Sequence, residues 1–264
     1  MIIDCHLHLP SLDKVKTLEK SKAELLEELR RSEVDCAIVI PDNVPKSVIG
    51  SLDEVLQLVK DDEQLYVMGT IDIQKRDYMS QTRKLDQLFH AGSIVAAKIF
   101  PGHDPIYPTD KRLLPLYELC IKHYLPVVIH TGAGAKRPRP TVYNDPKHII
   151  RIAERFPKLK IVIAHYFNPR VEYCYNLTKT YENIYFDTSG LADEEVIAET
   201  GLAEIKKVLT LTAKERPNNV VFGTDYAMCS IRRHIELVES LEIDRLTKDK
   251  IFSENAIRLF HLRL

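Results

Sequence analysis

The chain has 264 residues, 45% of them apolar and 28% charged, with a formal net charge of −1 and a pI near 6.8. That length supports one large α/β domain or two small ones around a sizeable core. The balanced charge carries no basic footprint for nucleic acid or an anionic membrane surface.

The five cysteines (Cys5, Cys36, Cys120, Cys174 and Cys229) are odd in number, scattered, and form no Cys-x-x-Cys pair. A disulfide framework or structural zinc knuckle is therefore not expected. All five read as small core side chains in a reducing cytoplasm. Asp4 comes too early for a signal peptide, and the longest apolar runs are strand length, too short to span a membrane.

Taken in chain order, apolar β-rich runs fall at 1–5, 35–40, 65–71, 94–99, 125–129, 159–164, 184–187 and 219–223. Their starts lie 25 to 35 residues apart, the length of a strand plus a helix. Helical stripes lie between them, marked by Leu18, Leu25, Leu26 and Leu29, and by Leu85, Leu88 and Phe89. Pro41 and Pro101 end strands; Pro146 and Pro169 stand where helices begin. The tail 248–262 reads as a ninth helix that packs Ile251, Phe252, Leu259 and Phe260.

Strands alternating with helices give a parallel sheet, and eight such units in this length match a closed (β/α)8 TIM barrel. An open doubly wound sheet is the alternative, but it would usually carry a Gly-rich phosphate loop after its first strand. Here that position holds histidines. With no linker or composition shift, residues 1–264 form a single domain.

In such a barrel the reacting groups stand at the C-terminal ends of the strands. The first run ends in His6 and His8, which with Asp4 share one face of a regular strand. The fourth carries Lys98, the fifth leads into His130, and the sixth leads into His165. The seventh carries Asp187 and Ser189, and the eighth leads into Asp225. Scattering ten histidines at random would not place four of them there. His90, His123, His148, His234 and His261 fall in helical patterns and read as surface or helix-end residues. His103 lies in the loop after the fourth run, within reach of a substrate.

Several segments occur in one order: Ile3-Asp4-Cys5-His6-Leu7-His8, then Ala97-Lys98-Ile99-Phe100-Pro101-Gly102, then Leu125 to Gly132, Phe156 to His165, Phe222-Gly223-Thr224-Asp225-Tyr226 and Glu254 to Phe260. In this order the chain resembles the amidohydrolase superfamily of metal-dependent barrels, most closely its amidohydrolase-related branch. The resemblance implies that His6, His8, His130 and Asp225 hold a divalent metal, with Asp225 also shuttling a proton. It places His165 beside them, as a ligand to a second metal or as the group that polarises the substrate. Imidazoles and a carboxylate suit zinc with one position open to water, whose pKa the ion lowers toward neutrality. Asp4 is placed to orient a ligand histidine.

Lys98 has two readings. The segment around it is also similar to that of dihydroorotases, where a carboxylated lysine bridges two metals, so one or two ions per chain are expected. As an ordinary ammonium, Lys98 would instead pair with a substrate carboxylate. The loop after His130 carries Lys136, Arg137 and Arg139, a clamp for an anionic substrate. Tyr107, Tyr143, Asn168, Arg170 and Tyr226 are further candidates for the site wall.

The resemblance therefore implies a cytoplasmic hydrolase that cleaves a C–N or C–O bond of a small, carboxylated substrate through a metal-bound hydroxide. Nonoxidative decarboxylation is the alternative with the same ligands, and a non-catalytic barrel scaffold is the alternative of another class. A TatD-like nuclease is disfavoured by Lys98, which stands where that group has a glutamate. A homodimer is common among proteins of this kind.

Overall fold

Eight apolar runs become eight parallel strands: β1 (Ile3–Leu7), β2 (Cys36–Val39), β3 (Leu65–Thr70), β4 (Ala96–Ile99), β5 (Val127–Ile129), β6 (Ile161–Ile163), β7 (Ile184–Asp187) and β8 (Val220–Val221). The structure is a computed structural model that describes residues 1–44, 46–133 and 141–264. Each strand pairs in parallel with the next, from β1 through to β8. The sheet then closes on itself, because Cys5 N donates to Phe222 O at 2.9 Å and Asp225 N donates to His6 O at 2.7 Å. This is the (β/α)8 TIM barrel that the strand spacing predicts.

Helices follow the strands for local reasons. Thr17 caps the helix Leu18–Arg31 by accepting the Lys20 N–H at 3.3 Å, and that helix buries Leu25 and Leu29. Pro146 opens the helix Pro146–Arg155, where its missing N–H costs nothing, and Asp145 caps it. The tail is helical from Arg245 to Phe260 with one wider turn at Lys250–Glu254, so it starts three residues before the expected 248. No helix among the described residues is long and apolar enough to cross a membrane.

Alternate residues of the strands serve two cores. Ala97, Ile99, Val127, Ile129, Ile161 and Ile163 pack with helix residues such as Leu25, Leu85, Leu116 and Ile152. Ala96, Val128, Val162 and Val221 fill the barrel interior, against which Leu259 and Phe260 of the tail pack. Four cysteines are buried as expected, whereas Cys229 is half-buried in the loop after β8.

The seam between β8 and β1 is held by Asp4, which is fully buried. Its Oδ1 accepts from His6 N at 3.0 Å and Thr224 N at 3.1 Å, and its Oδ2 accepts from Thr224 Oγ1 at 2.5 Å. The expectation that Asp4 orients a histidine ring is therefore corrected: it braces backbone and a threonine. The ladder register shifts between Asp4 and Leu7, which breaks the regular alternation that expectation assumed. Gly223 lets the two strands approach, since a Cβ there would sit 2.9 Å from His6 Cβ.

His234, expected at the surface or a helix end, lies in the first turn of the helix Ile231–Glu239 and is fully buried. Its Nδ1 donates to Ser230 O at 2.8 Å and its Nε2 accepts from Ala192 N at 3.2 Å, so the ring must be neutral. Burial pushes its pKa from 6.5 down to about 4.

Two outcomes are expected. Gly223→Ala should lower the urea midpoint by an amount equivalent to about 1–3 kcal/mol, the usual cost of overpacking. The neutral His234 contributes fully above its unfolded pKa and loses that contribution as pH falls toward its folded one. Unfolding free energy should therefore drop by roughly 2 kcal/mol through this residue between about pH 7 and about pH 5. A His234→Gln variant should show a correspondingly flatter pH slope in urea titrations.

Candidate metal centre

The closing seam brings His6, His8 and Asp225 together at the C-terminal ends of the strands. One ligand atom from each lies within 4.8 Å of the others. Asp225 Oδ1 is 3.4 Å from His8 Nε2 and 3.7 Å from His6 Nε2. The far side of each ring is tied down. His8 Nδ1 donates to the Ile40 carbonyl at 2.8 Å, and His6 Nδ1 pairs with Asp187 Oδ2 at 2.7 Å.

These bonds decide where the protons are. A carbonyl only accepts, so His8 carries a proton on Nδ1, which leaves Nε2 as the ring atom free to serve as a ligand. Burial pushes His6 down to about 3, helped by the Lys98 charge, so this ring too is neutral. Burial alone would raise the Asp225 carboxyl, but the imidazoles of His165, His8 and His6 outweigh it and hold it well below the carboxylate range. With both Nδ1 atoms engaged behind, the two Nε2 atoms and a carboxylate oxygen are the atoms turned toward one another. Two donors on a tetrahedral zinc stand roughly 3.4 Å apart, from bond lengths near 2.1 Å. The donor set and its spacing fit a divalent cation.

Lys98 stands beside this triad. It is buried, and its Nζ lies 3.4 Å from His6 Nε2. Burial pushes the amine from 10.5 down to about 8, against the pull of Asp187 and Asp225.

His165 follows β6 in a left-handed turn in which His165, Tyr166 and Phe167 have φ of 60°, 52° and 56°. Three such residues in a row are costly without glycine, and the turn is held by its neighbours. Thr131 Oγ1 donates to Ala164 O at 2.5 Å and accepts from Phe167 N at 2.8 Å. Asp187 Oδ1 accepts the His165 backbone N–H at 3.0 Å. The His165 ring lies 4.8 Å from the rings of both His6 and His130.

The remaining candidates divide. His130 packs edge-on to His103 at 4.3 Å, so the loop after β4 does reach the site. His130, expected as a metal ligand, is not among the atoms that gather with His6, His8 and Asp225. The Tyr226 ring packs in the helix layer, and only its backbone serves the site, its carbonyl accepting from His8 N. Arg170 lies over the Tyr173 ring at 4.1 Å. Tyr107 and Tyr143 pack on each other at 4.9 Å. Asn168 Nδ2 donates to His165 O at 3.2 Å. Lys136, Arg137 and Arg139 lie outside the described residues. The Ile40 carbonyl has no signature in sequence, whereas Asp187 and Ser189 were visible at a strand end but had no assigned role.

Known proteins share this fold. Among solved structures, an uncharacterized TIM-barrel protein of Bordetella bronchiseptica is 22% identical over 99% of this chain and 98% of its own, with a TM-score of 0.78. A putative 2-pyrone-4,6-dicarboxylic acid hydrolase of Pseudomonas putida is 17% identical over 100% and 98%, with a TM-score of 0.74. A 5-carboxyvanillate decarboxylase of Novosphingobium aromaticivorans, complexed with manganese and a nitrobenzoic acid, is 14% identical over 99% and 96%, with a TM-score of 0.66. No curated protein sequence matches. The amidohydrolase family profile matches residues 3–262, nearly the whole chain, and the chain therefore belongs to that family of metal-dependent enzymes.

Proposed function

We propose that this chain is a hydrolase with one zinc-class cation per molecule, cleaving a C–O or C–N bond in a small carboxylated substrate. The observation that carries the reading is the convergence of His6 Nε2, His8 Nε2 and Asp225 Oδ1, with both ring Nδ1 atoms already engaged behind them. Among the described residues these are the only side chains that gather in this way, which supports one ion rather than two. Lys98 is read here as an ammonium, its Nζ 3.4 Å from His6 Nε2. A cation held there would supply Lewis acidity at neutral pH.

The chain's own residues do the rest. Lys98, a buried positive charge 3.4 Å from His6, pairs with a substrate carboxylate and orients it. Asp225, ionised among three imidazoles, accepts the proton of the attacking water and returns it to the leaving group. The rings of His103 and His130 form a wall on the β4–β5 side. Nonoxidative decarboxylation uses the same side chains, and the manganese-bound decarboxylase that shares this fold keeps it as the second reading. A cytoplasmic setting is supported by five cysteines that form no disulfide.

Elemental mass spectrometry of the purified chain tests the reading. It should give about one zinc or manganese per molecule, unchanged in Lys98→Ala. About two, falling in that variant, would establish the bridging lysine instead. Asp225→Asn should cut turnover of a carboxylated lactone or amide by roughly 10²–10⁴-fold, the scale of a lost general base, with its circular dichroism unchanged. Carbon dioxide release, in place of ring opening, would establish the decarboxylase.

A further inference from the structure

Asp187 and Ser189 stand behind the ligand triad, on β7 and just past it. Asp187 Oδ1 is saturated from one side. It accepts the backbone N–H of His165 at 3.0 Å, the backbone N–H of Ser189 at 3.1 Å, and the Ser189 hydroxyl at 2.5 Å. Asp187 Oδ2 is left for His6 Nδ1 at 2.7 Å. The Ser189 hydroxyl has one proton, and it is spent on Asp187. Toward its other neighbours Ser189 Oγ can only accept, and these are His165 Nδ1 at 3.0 Å and His6 Nδ1 at 3.1 Å. The Ser189 carbonyl, 3.3 Å from the same His165 nitrogen, can also only accept.

We propose that Asp187 and Ser189 are positioning residues that place the protons of two histidines at once, fixing His6 and His165 as Nδ1–H tautomers with an unprotonated Nε2. For His6 the carboxylate acts directly. For His165 it acts through the serine, whose hydroxyl it orients. A neutral His165 in this tautomer accepts a proton or a cation at Nε2 and has no proton there with which to polarise a carbonyl. That removes the polarising role and leaves His165 as a proton acceptor beside the one proposed cation.

The geometry also fixes what an isosteric change would do. In Asp187→Asn the side-chain oxygen stays at the Oδ1 position, where three donors converge. The amide nitrogen then takes the Oδ2 position and points its protons at His6 Nδ1. His6 must answer with its other tautomer and carry its proton on Nε2, the atom that faces Asp225.

The test uses the full chain, isotope-labelled at histidine nitrogen and stripped of metal by a chelator, at mildly alkaline pH. Long-range proton–nitrogen correlation spectra report which ring nitrogen is protonated. The parent should show Nδ1–H for both His6 and His165. Asp187→Asn should switch His6 to Nε2–H and leave His165 as it was. Ser189→Ala should leave His6 unchanged and give mixed tautomers at His165, with Ser189→Thr restoring the parent pattern. Zinc affinity, read by competition with a chelator, should fall about 10–100-fold in Asp187→Asn. An Nε2–H His165 in the parent, or an unswitched His6 in Asp187→Asn, would overturn the proposal. The spectra need no metal and no substrate, and only the zinc arm rests on the proposed metal reading, so failure of that reading is recognised separately.

Discussion

A barrel must close, and in this chain the closing seam and the candidate site are the same place. β8 is short, and past it the chain leaves the regular ladder, meeting β1 through bonds from Cys5, Thr224 and Asp225. Asp4 fastens that junction with both carboxylate oxygens. On its other side β1 shifts register against β2 between Asp4 and Leu7, the stretch that carries His6. A glycine at 223 is needed because the two backbones approach within a side chain's width. The site's geometry is a product of how the sheet joins its ends.

Burial then sets the electrostatics. Taking imidazoles and an amine out of water favours their neutral forms, while taking carboxylates out of water opposes their ionisation. At Asp187 and Asp225 the surrounding histidines reverse the effect of burial and keep the acids ionised. At Asp4 no such partner exists, and burial wins, raising its carboxyl to about 7. Acids on neighbouring strands thus have their carboxyls shifted in opposite directions. Lys98 stands between these cases, an amine softened by burial yet held by two carboxylates.

Much of this was legible in the sequence, for a physical reason. Parallel strands buried on both faces read as short apolar runs, so the eight-fold repeat and the residues at each strand end could be found by counting. What resisted was direction. A bulge turned Asp4 away from the histidine rings, and nothing in Ile3 to His8 announces it. His234 sits in a helical pattern like any surface histidine. Its burial depends on the Ala192 N–H arriving from the loop after β7. The Ile40 carbonyl that orients His8 is backbone, which every residue has. Tyr226 neighbours Asp225 in sequence, yet the left-handed φ of 65° at Asp225 sends the tyrosine ring into the helix layer.

The seam has a consequence for the order of events in synthesis. His6 and His8 are made long before Gly223, Thr224 and Asp225. Until the eighth strand is made, Asp4 lacks its threonine, and the two imidazoles lack their carboxylate. The nascent chain therefore carries an unfinished edge until Asp225 has been made, and no shorter product contains the three-residue cluster. A cation held by all three residues would enter only after Asp225 is in place. The ion, once in place, would hold together the two parts of the molecule that waited longest to meet.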